Sequence, residues 1–394
     1  MTFEQARERD AAHIAGTYAR QPVLIEAGRG ATLTDSEGRA LIDFSSGIGV
    51  SSLGYGHPAW VGAVTEQAGK LAHISNLYYT RPMILLAEKL TARTGMKRAF
   101  FANSGAEANE CAIKTARKYM SDRYPGKRGS ILCLVNSFHG RTLATLSATG
   151  QEGYHKHFGP FLTGIVFAQI NDRDGLSKHL TDEVGAILVE CIQGEGGVIP
   201  MEPDFFAEIS TLCRERDILL MVDEIQTGVG RTGSFLCCQQ YGVTPDLVTL
   251  AKGLGGGLPI GAVLFGEKVA ATLGPGDHGS TFGGNPICCA GANAVLDILD
   301  EGFLASVSQK GEYLKGKLEA LPGIVKVTGK GLMLGATLAE GLKNTEVVSA
   351  CLERGLVLLT AKEKLRFLPP LTITTEELDA GLAVLSEVLT LSTK

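Results

Sequence analysis

Along the middle of the chain, compact aliphatic runs alternate with longer stretches in which apolar residues recur every three or four positions. The runs "ILCLVN" (131–136), "GAILVE" (185–190), "ILLMVDE" (218–224) and "DLVTLAK" (246–252) show little alternation with polar residues. Short strands that are apolar on both faces belong to sheets covered by helices on both sides. The stretches between them, such as "AWVGAVTEQAGKLAHI" (59–74) and "GAEANECAIKTARKYM" (105–120), carry the helical period. Strand and helix in turn over residues 61–285 predict an α/β domain with a mainly parallel sheet flanked by helices. The loops after such strands converge on one edge, where open α/β sheets hold their ligands.

The two ends of the chain read differently. Residues 1–60 open with a polar helix and continue as "PVLIEAGRGATLTDSEGRALIDFSSG" (22–47), short alternating pieces with glycine turns that predict a β-meander. Residues 286–394 begin with a long helix near 286–302. Antiparallel strands are expected in "GIVKVTGKGLMLGATLA" (323–339) and "GLVLLTAKEKLRFLPPL" (355–371), then a helix from Thr374 with a capping box to Glu377. These predict a smaller α+β domain that the N-terminal segment joins, and neither repeats nor low-complexity segments interrupt the chain.

Composition narrows the function. With 394 residues there is chain enough for two domains, and a net charge of -5 without basic tracts excludes the usual footprint of a nucleic-acid binder. The nine cysteines are odd in number, lack metal-type spacing and fall mostly in apolar runs, so they read as reduced core residues with no bound metal. The acidic residues in "MTFEQARERDAAHIAG" disfavour a transit peptide, and neither a secretory signal nor a membrane-length apolar segment is found. A cytoplasmic location is expected.

The chemistry lies where the strands stop. "LVTLAKGLGGG" ends with Lys252, "LLMVDEIQ" supplies Asp223, Glu224 and Gln226, "LVNSFHGRT" supplies Phe138, His139, Gly140 and Arg141, and "LVECIQGEGG" supplies Glu190, Gln193 and Glu195. Singly, each fits an ordinary structural role: a cap, a solvated charge, a core aromatic, a turn. Together they stand on one side of one predicted sheet. Ser104, Gly105 and Ala106 precede a helix, where free amides and the helix dipole suit a phosphate, although taken alone an ordinary Ser cap is the better reading. No nucleotide-loop spacing is present. One lysine, one aspartate, an aromatic and a phosphate site are the needs of pyridoxal 5'-phosphate (PLP): Lys252 to condense with the aldehyde and shuttle a proton, Asp223 to keep the pyridine nitrogen protonated, Phe138 to stack and Gln226 to bond the phenolic oxygen. The glycines after Lys252 are expected to leave room for its swing.

At these residues the chain resembles the class III (ω-amino-acid) aminotransferases of PLP fold type I, nearest to the acetylornithine branch. "YARQPV", "LGYGHP", "HISNLYYTRP", "NSGAEANE", "FHGRT", "IQGEGG", "DEIQTGVGRTG", "AKGLGGGLPIGA", "HGSTFGGNP" and "RFLPPL" occur in the family's order over nearly the whole chain. The resemblance implies that Gly105 and Ala106 bind the cofactor phosphate, that Thr281 reaches it from the other subunit of a homodimer, and that Ser280 lies near substrate. It implies Arg141 for the carboxylate remote from the reacting amine, Arg366 for the α-carboxylate of glutamate or 2-oxoglutarate, and Glu195 as a lid that pairs with Arg366 in between. The implied reaction moves the δ-amino group of N-acetylornithine to 2-oxoglutarate. Succinylornithine, succinyl-diaminopimelate, ornithine and 4-aminobutyrate remain open as donors, as do a glutamate-semialdehyde-type aminomutase and a non-catalytic PLP-binding protein. Ile48 stands where ornithine aminotransferases carry a tyrosine, which leans toward acylated donors or 4-aminobutyrate. Cys191 departs from the family's usual Glu-Pro, and Tyr55 from its usual His.

Overall fold

The computed structural model describes residues 1–392. Its largest sheet has seven strands in the order Arg98–Ala102, Gly261–Phe265, Leu247–Leu250, Leu219–Asp223, Val184–Glu190, Ser130–Leu134 and Ile165–Ala168. All four apolar runs of the sequence are strands of this sheet, in mutually parallel orientation. Val184–Glu190 is buried at every position, as a strand covered on both faces requires. Among the described residues, Gly261–Phe265 is the one strand of this sheet that runs against the direction of the other six. Parallel neighbours need a long crossover, whereas an antiparallel return needs only a short loop. The chain therefore turns back directly after Leu250, and that tight connection contains Lys252.

The helices Pro58–Lys70 and Gly105–Arg123 form where the periodicity places them. The meander forms as Ile25–Arg29, Thr32–Asp35 and Ala40–Asp43, and Leu356–Val357 from the far end of the chain pairs beside it, Leu356 opposite Ile42. A second four-stranded sheet holds Ile324–Lys330, Met333–Leu338, Lys364–Phe367 and Leu359–Ala361. The last helix starts as expected: Thr374 N donates to Glu377 Oε2 at 2.9 Å and Glu377 N donates to Thr374 Oγ1 at 3.2 Å.

One expectation is corrected. The single helix near 286–302 is two, Pro286–Ile298 and Glu301–Glu319. Asp300 breaks it by accepting a hydrogen bond from Phe303 N at 2.7 Å, which caps the second helix and sets a new axis. All nine cysteines are buried and free. Among the described residues no helix is long and apolar enough to cross a membrane.

Candidate active site

Lys252 lies two residues beyond its strand and opens a short 3-10 turn, Lys252–Gly255, with φ +44°. A left-handed φ at a non-glycine residue is a strained conformation that the surroundings must hold. Two of the following glycines, Gly255 and Gly256, are closely packed, while Gly257 borders the cavity and a Cβ there would meet nothing nearer than 3.9 Å. A Cβ on Gly255 would come within 2.9 Å of Ile260 Cγ2, and one on Gly256 within 2.8 Å of Trp60 Nε1, while Trp60 Nε1 donates to Gly255 O at 3.0 Å. The lysine is thus presented by a rigid loop into a cavity of about 450 Å³. Burial pulls its ammonium below the ordinary lysine range, against the opposing charges of Glu195 and Asp223.

Asp223 borders the same cavity from the end of its own strand and is 4% exposed. A buried carboxylate must be satisfied. Its Oδ2 accepts from Asn109 Nδ2 at 2.8 Å and lies 2.8 Å from His139 Nδ1, and its Oδ1 accepts from Ile225 N at 3.0 Å. Asn109 is fixed in turn: its Oδ1 accepts from Thr249 Oγ1 at 2.8 Å, and its Nδ2 also donates to His139 O at 2.8 Å. Sequence pattern does not single out Asn109 or Thr249 as site residues. Each is a lone polar group among buried neighbours, Asn109 on the apolar stripe of its helix and Thr249 in the strand "LVTL", and that is the signal by which they could be found.

Across the cavity, Ser104 caps the helix Gly105–Arg123 by accepting from Glu107 N at 3.2 Å. The amides of Gly105 and Ala106 are in its first turn, without intrahelical partners. A Cβ on Gly105 would come within 2.8 Å of Ile225 Cδ1, so only glycine lets the backbone sit this close. Phe138 and Arg141 form another wall, with Phe138 N donating to Glu190 Oε2 at 3.0 Å. Glu190, 5% exposed, also faces the cavity; burial first and the Asp223 charge second push its carboxyl well above the usual range.

Gln226 borders the cavity, and its buried Oε1 has no hydrogen-bond partner among the described residues. Its Nε2 donates to Glu195 Oε1 at 3.4 Å, and Glu195 forms a short ion pair with Arg366 Nη1. Burial alone would raise the Glu195 carboxyl, but the charge and hydrogen bond of Arg366 outweigh it and hold it below the usual range. Four expected residues are not among those that border the cavity: Glu195 and Arg366, which meet each other beside Gln226, and Ser280 and Thr281. Thr281 is exposed and does not border this cavity, and Ser280 Oγ accepts from Asn103 Nδ2 at 3.1 Å at its rim. Of the departures from the family pattern, Cys191 points its thiol at Glu224 Oε1 at 3.7 Å and Tyr55 donates to Asp43 Oδ2 at 2.8 Å; neither borders the cavity.

A buried lysine, a fixed aspartate, an aromatic wall and an anion-ready helix terminus in one space define a site for amine chemistry on a phosphorylated ring. The family model for aminotransferase class-III matches residues 14–389, and the chain belongs to that family. It is 50% identical over 390 residues to an acetylornithine aminotransferase of Haemophilus ducreyi, covering 99% of each chain. Among solved structures it is similar to the N-acetylornithine aminotransferase of Stenotrophomonas maltophilia (37% identity, TM-score 0.84, 98% of both chains). It is also similar to the ornithine aminotransferase of Toxoplasma gondii, which holds PLP in partial occupancy at its active site (32% identity, TM-score 0.95, 100% of this chain and 95% of that one). The class makes PLP the cofactor, and the residues fit it: the orphaned Gln226 Oε1 and the free Gly105 and Ala106 amides are unmet needs that a hydroxylated ring bearing a phosphate would meet.

Proposed function

We propose that this chain transfers the δ-amino group of N-acetylornithine to 2-oxoglutarate, working as a cytoplasmic homodimer. Residues 61–285 form the cofactor-holding unit, and residues 1–60 with the described part of 286–394 form the smaller unit beside it. The observation that carries the reading is that Lys252, Asp223 and Arg141 border one cavity. PLP, when bound, supplies an aldehyde that condenses with amines and a ring that takes up the electron pair of a deprotonated carbon. Asp223, fixed by three partners, holds the proton on the ring nitrogen. Gly105 and Ala106 bind the phosphate, Phe138 stacks on the ring, and Gln226 offers its side chain to the phenolic oxygen. Lys252 Nζ, its basicity reduced by burial, would take the proton from the amine-bearing carbon and deliver it to the carbon on the other side of the nitrogen, the one that was the aldehyde carbon. Arg141 takes the carboxylate far from the reacting amine, and Arg366 takes the α-carboxylate of glutamate or 2-oxoglutarate after Glu195 moves aside.

The dimer is supported by a face of large exposed apolar side chains: Leu77 is 88% exposed and Tyr79 95%, with Tyr78 and Phe282 nearby in sequence or space. Thr281, outside its own cavity, reaches the phosphate of the other subunit, and Ser280 lies near substrate. Free buried cysteines support a reducing compartment. Identity near half with acetylornithine aminotransferases supports the acylated donor. The test is direct. Borohydride reduction of the PLP-loaded protein is expected to fix the cofactor on Lys252, glutamate to convert it to the pyridoxamine form, and kcat/KM over a panel of ω-amines to be highest for N-acetylornithine. Failure of glutamate to convert the cofactor overturns the aminotransferase reading, turnover without 2-oxoglutarate favours a mutase, and a higher kcat/KM for another amine overturns the choice of donor.

A further inference from the structure

Arg141, which carries the donor's remote carboxylate in the reading above, is held by no hydrogen bond or ion pair among the described residues. What holds it is an aromatic face. The guanidinium carbon lies 3.8 Å from the centroid of the Tyr154 ring and 5.6 Å from that of Phe138. Tyr154 belongs to the short helix Glu152–His155 and meets Phe138 edge-on, with centroids 5.9 Å apart and planes at 79°. It also borders a second cavity of about 580 Å³, shared with Glu195 and Lys362. Tyr154 thus lines this neighbouring space while its ring meets Phe138 and Arg141, which border the Lys252 cavity.

A guanidinium held over a ring by its cationic centre keeps its N–H groups free to grip a carboxylate in bidentate fashion. A carboxylate partner within the protein would have consumed that edge. The long arginine side chain otherwise keeps most of its rotamer freedom, and a ligand that had to freeze it would bind more weakly. We infer that Tyr154 is a positioning residue for donor specificity: its ring face pre-sets Arg141 at a fixed distance from Lys252, so that ω-amines carrying a remote carboxylate are selected. This rests on the assignment of Arg141 to that carboxylate.

The matched probes are N-acetylornithine and N-acetylputrescine, which differ only by the carboxylate. In Tyr154→Leu, the KM for N-acetylornithine is expected to rise about 3- to 10-fold with little change in kcat, the scale of a lost partly exposed cation–π contact. N-acetylputrescine should be handled as by the unaltered enzyme. Tyr154→Phe keeps the ring face and should restore the low KM. An equal loss for both amines in Tyr154→Leu would mean that the residue acts by packing on Phe138, and the inference is overturned. Tyr154→Phe behaving like Tyr154→Leu overturns it too, since the hydroxyl would then matter. Arg141→Met separates the layers. If it fails to discriminate between the amines, the assignment of Arg141 falls and this inference with it; if it discriminates and Tyr154→Leu does not, only the role of Tyr154 is refuted.

Discussion

Replacing Glu195 with glutamine tests how one pocket serves two kinds of substrate. The Arg366 side chain is 4% exposed and that of Glu195 23%. Arg366 is in the strand Lys364–Phe367, paired on both sides opposite Gly335 and Leu359, and cannot retreat. Glu195 sits in a loop between Gly194 and Gly196-Gly197, with Gly197 at φ +110°, and can. Removing one member of a buried ion pair costs about 3–5 kcal/mol, because the other charge stays buried without a partner. Glu195 keeps some contact with water, so the lower end applies, about 3 kcal/mol in the free enzyme. A dicarboxylate that places its α-carboxylate on Arg366 restores the pairing and no longer has to displace Glu195.

The expected result is therefore split. Glu195→Gln should unfold at lower urea concentration than the unaltered enzyme, and 2-oxoglutarate should stabilise the variant more than it stabilises the parent. In single-turnover half-reactions followed by cofactor absorbance, the glutamate side should bind about tenfold more tightly if about 1.4 kcal/mol of the displacement cost disappears. The N-acetylornithine side should slow, since closing the donor over an unpaired guanidinium deepens its burial. The stability gap has a definite pH course. Glu195 has a folded pKa below its unfolded value, so its contribution is complete above the ordinary glutamate pKa of about 4.3 and is lost as pH falls through the depressed folded value. Parent and variant should differ fully at neutral pH and converge in acid. Unchanged constants in both half-reactions would refute the lid.

Three further outcomes follow from the site and its surroundings. In cofactor-free protein, an amine-directed reagent should modify Lys252 with a midpoint below the ordinary lysine value of about 10.4, and Asp223→Asn should lower it further by removing an anion that favours the ammonium; a midpoint at or above the ordinary value counts against burial as the controlling effect. Asn109→Ala should destabilise the fold by about 1–3 kcal/mol in urea titrations, because Asp223 Oδ2 and Thr249 Oγ1 each lose a buried partner; an unaltered midpoint would mean that water replaces the amide freely. Leu77→Glu with Tyr79→Glu should shift sedimentation to the monomer and abolish turnover, and a dimer that survives both charges would place the interface elsewhere.

The large sheet was legible because its strands are apolar on both faces, and so short an apolar run, bounded by turn residues, has little use except as a covered strand. The turn of Lys252 was less so. Nothing in the periodicity of "IGAVLF" says that Gly261–Phe265 returns antiparallel, and without that the close packing of Gly255 against Ile260 and of Gly256 against Trp60 is not visible. The break at Asp300 was hidden for a related reason: an aspartate near the end of an amphipathic stretch is compatible with a solvated helix residue, and only its bond to Phe303 N makes it a cap.

The supports of the site divide along the same line. Strand-end residues such as Asp223 and Glu190 can be gathered from pattern alone, since parallel strands deliver their ends to one edge. Partners supplied from the middle of an element, Asn109 from its helix and Thr249 from its strand, require knowing which helix lies over which strand. Tyr154 is harder still, because its contact with Arg141 joins a one-turn helix to a loop, and their separation in sequence carries no period. The readable clue in the first two is the cost of burial. An amide on an apolar helical stripe and a hydroxyl within an aliphatic strand each need a buried partner, and here the two satisfy each other while the amide also grips the aspartate. A search for mutually compensating polar intruders among apolar runs would have found this pair, and through it the group that fixes the Asp223 carboxylate.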